Sequence, residues 1–297
     1  MPRFGPMMTA MVTPFDDLGE VDLEGAATLA RFLVDNGNDA LVLTGSTGEA
    51  SVLTDDEQVS VWRAVRDAVD VPLVVGSGTN DTRHAAELTG RAAGAGMDGV
   101  LVVTPYYIRP GQSGIEAHFR TVAAATDLPV IIYDIPIRTG RKIAFDVLIR
   151  LASEVDNVVA VKDATADLVA ASRLLAWAPD GFELYSGDDP LTLPFLSIGA
   201  VGTISVAGHW AGREIAEMMA AHAKGDVARA AELNARLQAS YEFETSEATP
   251  NPIPTKAMLR ALGLPAGQCR MPLGPAPEGL EQVARGVWEG LRGGQSG

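Results

Sequence analysis

The chain has 297 residues, 47% hydrophobic and 21% charged, with a net charge of −15. That length allows either two modest domains or one α/β barrel with an appendage. No block of lysine or arginine stands out, which argues against nucleic acid and acidic membranes as partners, because both need clustered positive charge.

Short apolar runs recur along the chain with helix-like stretches between them. The first run, Met7–Val12, is followed by Leu23, Ala26, Ala30, Leu33 and Val34 at helical spacing, and Asn36-Gly37 supplies a stop. The second run is Ala40–Leu43. After it, Thr54 and Glu57 form a capping box ahead of Val59, Val61 and Val65. Pro72–Val75 precedes a helix over Ala85–Ala95. Gly99–Val103 precedes one over Gly114–Ala125, and Val130–Tyr133 one over Phe145–Ser153. Val158–Val161 leads to Asp167–Trp177. Phe182–Tyr185 and Val201–Ser205 follow, then a helix over Ala211–Ala223. The remaining stretches read as helices over Val227–Tyr241, Ile253–Leu262 and Gly279–Leu291, separated by TPNPIP and RMPLGPAPEG. The closing GGQSG reads as a frayed tail.

Eight strands alternating with helices predict a (β/α)8 barrel, the TIM-barrel architecture, over residues 1–224. A small helical extension is expected over 225–297. The alternative, a doubly wound open sheet, usually carries a glycine-rich fingerprint after its first strand. TPFDDLGE is not that fingerprint.

Cys269 is the single cysteine, so no internal disulfide forms, which fits a reducing compartment. MPRFGPMMTAMVTPF lacks a signal peptide's apolar core, and no apolar run approaches membrane-spanning length. A cytoplasmic protein is expected. The histidines, His84, His118, His209 and His222, form no HxxxH or HExxH pair, so no metal site is expected.

In such barrels the active site lies at the C-terminal strand ends, and the candidate motifs follow strand runs. GSTGE (Gly45–Glu49) follows the second. It is either a plain turn before a helix, or a loop whose backbone N–H groups face an anion while Ser46 and Thr47 offer hydroxyls. TPYY (Thr104–Tyr107) follows the fourth and reads as packing or chemistry. YDIPIRTG follows the fifth. Its Tyr133 is a core ring or a proton shuttle, and its Arg138 a surface charge or a two-pronged grip on a carboxylate. Lys162, one of four lysines, ends the sixth run in NVVAVKDAT. Standing alone it reads as a surface lysine just past a strand, or as a partly desolvated amine able to attack a carbonyl. YSGDD follows the seventh run, and Asp188 and Asp189 read as helix caps. GTISV forms the eighth.

Taken together and in this order, GSTGE, TPYY, YDIP with Arg138, and VKDAT resemble the pyruvate-dependent class I aldolase and lyase superfamily over nearly the whole chain. VTPYYIRP, YDIPIRTG, YSGDDPLTLP and NPIPTK resemble its dihydrodipicolinate synthases most closely. The resemblance implies that Lys162 forms a Schiff base with pyruvate, and that Tyr133, Ser46 and Tyr107 make a proton relay, Tyr107 acting in a neighbouring subunit's site. It implies that Thr47 holds the pyruvate carboxylate and Arg138 that of L-aspartate 4-semialdehyde, while Gly187 and Ile204 line the pocket. No metal or organic cofactor is implied. A homotetramer built as a dimer of dimers is implied, with 4-hydroxy-tetrahydrodipicolinate as product. Relatives that cleave sugar acids, such as N-acetylneuraminate lyases and 2-keto-3-deoxy-sugar-acid aldolases, share GSTGE but usually lack the arginine. A barrel that has lost turnover is a third reading, opposed by the presence of Lys162, Tyr133, Tyr107 and Ser46. Lysine-inhibited relatives carry a histidine after GSTGE and a glutamate four residues past an asparagine matching Asn80. Here those positions hold Asp55 or Gln58, and His84, so weak or absent inhibition by L-lysine is expected.

Overall fold

The computed structural model describes residues 2–293, and each apolar run becomes a strand in it. They are β1 (Met7–Ala10), β2 (Ala40–Leu43), β3 (Leu73–Gly76), β4 (Gly99–Val103), β5 (Val130–Asp134), β6 (Val158–Asp163), β7 (Glu183–Ser186) and β8 (Gly202–Ser205). All pair in parallel and in chain order, and β1 closes the ring on β8 with Met8 opposite Ile204. Of the expected tail over 293–297, Gly293 instead closes the last helix, and residues 294–297 lie outside the described residues.

The helices are α1 (Leu23–Asp35), α2 (Asp55–Arg66), α3 (Thr82–Gly94), α4 (Gln112–Ala123), α5 (Pro136–Thr139), α6 (Phe145–Glu154), α7 (Leu168–Trp177), α8 (Thr192–Ser197), α9 (Gly208–Ala223), α10 (Val227–Phe243), α11 (Ile253–Ala261) and α12 (Leu280–Gly293). The capping box at Thr54 and Glu57 is formed. Asp55, Asp56 and Glu57 then fill the first turn of α2, with Arg63 and Arg66 in its last, matching the helix dipole at both ends. The sequence reading missed α5 and α8, which are too short to show a helical repeat.

Strand alternation sorts the apolar residues into two layers. On β5, Val130 and Ile132 face the helices, packing with residues such as Phe119 and Leu151. Ile131 and Tyr133 face the barrel interior with Met8, Ala160, Tyr185 and Ile204. A third cluster joins α9 to the C-terminal helices through Trp210, Met218, Leu237, Tyr241 and Met258.

Candidate active site

Lys162 lies within β6, not just past it. The apolar run ends at Val161, but the parallel ladder with β5 continues, pairing Tyr133 with Lys162 and Asp134 with Asp163. Ala160 faces the interior, so a period of two turns Lys162 inward as well. The shared register thus sets the lysine and the tyrosine side by side on the inner wall. Lys162 is 5% exposed, which rules out the surface reading. Its Nζ stands 4.3 Å from the centroid of the Tyr133 ring.

Burial pulls the Lys162 pKa down to about 8. Asp189 and Glu244 oppose that shift, and Arg138 reinforces it. About a tenth of such an amine is neutral at pH 7, against roughly one part in three thousand for an ordinary lysine. Tyr133 moves the other way. Burial pushes its phenol up to about 12, with Asp188 adding to the shift and Arg138 reducing it. It therefore keeps its proton at neutral pH and is available as a donor.

The walls around this pair come from neighbouring strand ends. GSTGE leaves β2 through two residues with left-handed backbones, Thr44 (φ 47°) and Glu49 (φ 58°). Trp62 Nε1 donates to Thr44 Oγ1 at 2.7 Å and ties the loop to α2. Ser46 opens onto the cavity, while Thr47 is buried. Thr47 Oγ1 accepts from Asn251 Nδ2 at 2.9 Å. Arg138 sits on α5 at the cavity rim, with Nη2 3.4 Å from the Asn251 carbonyl. Gly187 follows β7, and a Cβ there would come within 3.0 Å of Lys162 Cγ and of Ala164. Glycine at this position keeps the lysine stem clear.

A lobe of about 440 Å³ holds Lys162, Ser46, Thr47, Arg138 and Gly187. It meets a second lobe of about 480 Å³ along Gly45, Tyr133 and Asn251. Two expected site residues lie elsewhere. Tyr107 is 87% exposed and outside both lobes. Ile204 packs inside the barrel with Met8 and Tyr185 and does not line the cavity. Asp189 is no cap for its own helix. Its Oδ2 accepts from Val206 N at 2.7 Å and Ala207 N at 3.0 Å, serving the start of α9 instead. Asp188 precedes a single 3-10 turn and makes no capping bond. Sequence reasoning missed Asn251 and Glu244 as wall residues. NPIPTK was a visible signal for Asn251, since that break folds back over the strand ends. Nothing around Glu244 marked it.

A family model described as the dihydrodipicolinate synthetase family matches residues 3–286. The chain belongs to that family. A 4-hydroxy-tetrahydrodipicolinate synthase from Acidothermus cellulolyticus is 51% identical over 286 residues, covering 95% of this chain and 90% of the relative. One from Moorella thermoacetica is 45% identical over 290 residues, covering 97% and 98%. Among solved structures, the dihydrodipicolinate synthase of Cyanidioschyzon merolae with lysine bound superposes with a TM-score of 0.95 at 41% identity, covering 98% of this chain and 99% of that one. Dihydrodipicolinate synthetase membership thus extends over the barrel, the lysine strand and most of the C-terminal helices.

Proposed function

We propose that this chain, a lyase of the dihydrodipicolinate synthetase family, condenses pyruvate with L-aspartate 4-semialdehyde through Lys162. The neutral Nζ attacks the keto carbon, and water leaves to give an imine. The imine withdraws electrons from the adjoining methyl group, which loses a proton and becomes an enamine. The enamine carbon attacks the semialdehyde. The substrate's amino group then closes the ring, displaces Lys162 and releases 4-hydroxy-tetrahydrodipicolinate, an intermediate on the diaminopimelate route to lysine. The observation that carries this reading is an inward-facing, desolvated lysine beside a protonated tyrosine.

Thr47 and the GSTGE loop hold the pyruvate carboxylate. Arg138, at the rim of the same lobe, grips the carboxylate of the second substrate. That cation favours a carboxylated aldehyde over a sugar acid, which would need hydroxyl-binding groups. Tyr133 and Ser46 pass protons, and Tyr107 completes the relay from a neighbouring copy. Tyr107 sits exposed at φ 71° in the centre of a γ-turn that Ile108 N closes onto the Tyr106 carbonyl at 2.9 Å, which presents its ring outward to a partner surface. Ile108, also exposed, extends the same patch. On this reading the protein is a cytoplasmic homotetramer working without metal or organic cofactor. No helix among the described residues is long and apolar enough to cross a membrane.

The test is reduction with borohydride in the presence of pyruvate, followed by intact mass and peptide mapping. One pyruvate-derived adduct on Lys162 is expected, with none in Lys162→Ala. An adduct on another residue refutes the assignment. Product formation from pyruvate and the semialdehyde, set against N-acetylneuraminate and 2-keto-3-deoxygluconate, tests the substrate pair.

A further inference from the structure

The roles assigned so far leave three carboxyl groups in the wall of the Lys162 lobe unexplained: Asp188, Asp189 and Glu244. Asp189 is 3% exposed, and its Oδ2 is held by the backbone at Val206 and Ala207. Its Oδ1 finds no donor among the described residues. Glu244, 7% exposed, enters from the end of α10, and its Oε2 also finds no donor among the described residues. Glu244 lines the same wall as Asp189, and burial first, then the neighbouring Asp189 and Asp188, push its pKa well above the usual carboxylate range. Asp188 is half-buried beside them; its main-chain carbonyl accepts from Ser186 Oγ at 2.8 Å, but its carboxylate accepts no hydrogen bond among the described residues.

Burying several carboxyls in one wall is costly without a cation. Pyruvate is an anion, and a wall of this sign repels it. The second substrate carries both an α-carboxylate and an α-ammonium. Arg138, on the rim of the same lobe, matches only the first of these.

We propose that Asp188, Asp189 and Glu244 form the subsite for the α-ammonium of the second substrate, and that one of these carboxylates takes the proton this ammonium must lose before ring closure. The inference rests on the Schiff-base reading of Lys162. The proton moves from the ammonium to a carboxylate oxygen. The freed nitrogen lone pair attacks the protonated imine carbon and forms a new C–N bond. A proton then passes from that nitrogen to Lys162 Nζ. The C–Nζ bond breaks with its electron pair going to Nζ, the ring nitrogen forms the C=N bond, and its remaining proton leaves to solvent.

Succinate semialdehyde is the same aldehyde without the amine, and it separates this role from a general one. In Asp188→Asn and Glu244→Gln the KM for aspartate semialdehyde should rise roughly tenfold to a hundredfold, the loss of a charged hydrogen bond. The extent of borohydride-trapped pyruvate at saturating pyruvate, and the inhibition constant of succinate semialdehyde, should stay within about twofold. An unchanged KM overturns the proposal. So does an equal loss for both aldehydes, which assigns the acids to the imine instead. If a substitution abolishes pyruvate capture, the wild-type protein decides. L-2-Aminobutyrate should then compete with aspartate semialdehyde at least about tenfold better than butyrate, and equal competition overturns the proposal. Wild-type protein that captures no pyruvate on Lys162 removes the underlying reading; one that captures it but ignores the amine removes only this inference.

Discussion

Lys256 and Glu49 form an ion pair at 2.6 Å with both side chains fully buried, and breaking it should cost far more than its removal as a unit. The ammonium also donates to the Gln268 carbonyl at 3.2 Å and lies 3.9 Å from the centroid of Phe15. Glu49 Oε2 accepts from the Arg270 backbone at 2.9 Å. Burial lowers the Lys256 pKa, and Glu49 resists that shift. Lys256→Met strands a carboxylate away from water, so about 3–5 kcal/mol of stability should be lost, the usual result for a buried pair missing one partner. Glu49→Gln strands the ammonium at similar cost. The double variant leaves no charge in the gap and should cost at least about 2 kcal/mol less than the two singles summed. Urea unfolding at fixed protein concentration measures all four proteins. Strict additivity, or a single-variant loss under about 1 kcal/mol, refutes the argument. Glu49 also ends the GSTGE loop that presents Thr47, so Lys256→Met should raise the KM for pyruvate while Lys162 remains competent to be trapped.

With Lys162 near 8, the rate constant for imine formation should fall about tenfold per pH unit well below that value, because only the neutral amine attacks. Tyr133, near 12, keeps its proton through pH 9, so stopped-flow traces should show a single ionisation, and a flat profile from pH 6 to 8 contradicts the lysine assignment. On the outer helices, Glu116 bridges Arg120 and Arg150 at 2.9 and 2.7 Å, linking α4 to α6. Arg150 and then Arg120 hold its carboxyl down to about 2. A depressed carboxyl stabilises the fold above its ordinary 4.5 and loses that contribution as pH falls toward 2. Glu116→Gln should therefore cost about 1 kcal/mol at pH 7 and almost nothing at pH 2, as read by thermal or urea unfolding. L-Lysine should inhibit weakly or not at all. His84, partnered through Nε2 with Asp55 Oδ1 at 2.8 Å, stands where lysine-inhibited relatives are expected to carry a glutamate, and half-maximal inhibition at sub-millimolar lysine contradicts this.

What the sequence revealed and what it hid follow from the range of the forces involved. The eight strands were legible because buried parallel strands are short β-branched runs, and turn residues mark their ends. Lys162 was legible as the end of such a run, but its place inside β6 was not. A charge interrupts the apolar pattern while backbone pairing with β5 continues through it. The same register explains why two motifs 29 residues apart act as one unit: Tyr133 and Lys162 are cross-strand neighbours. The wall contributed by the C-terminal segment was hidden for a different reason. Asn251 reaches Thr47 across 204 residues of chain, and no local periodicity records a contact of that span. Glu244 closes α10 in an otherwise polar stretch, where burial first and then Asp189 and Asp188 push its pKa well above the usual carboxylate range. Tyr107 is the converse case. Its motif implies chemistry, but a single chain leaves it in solvent. Strand ends therefore announce themselves locally, whereas Asn251 and Glu244 reach the cavity wall only because the last helices return over the barrel.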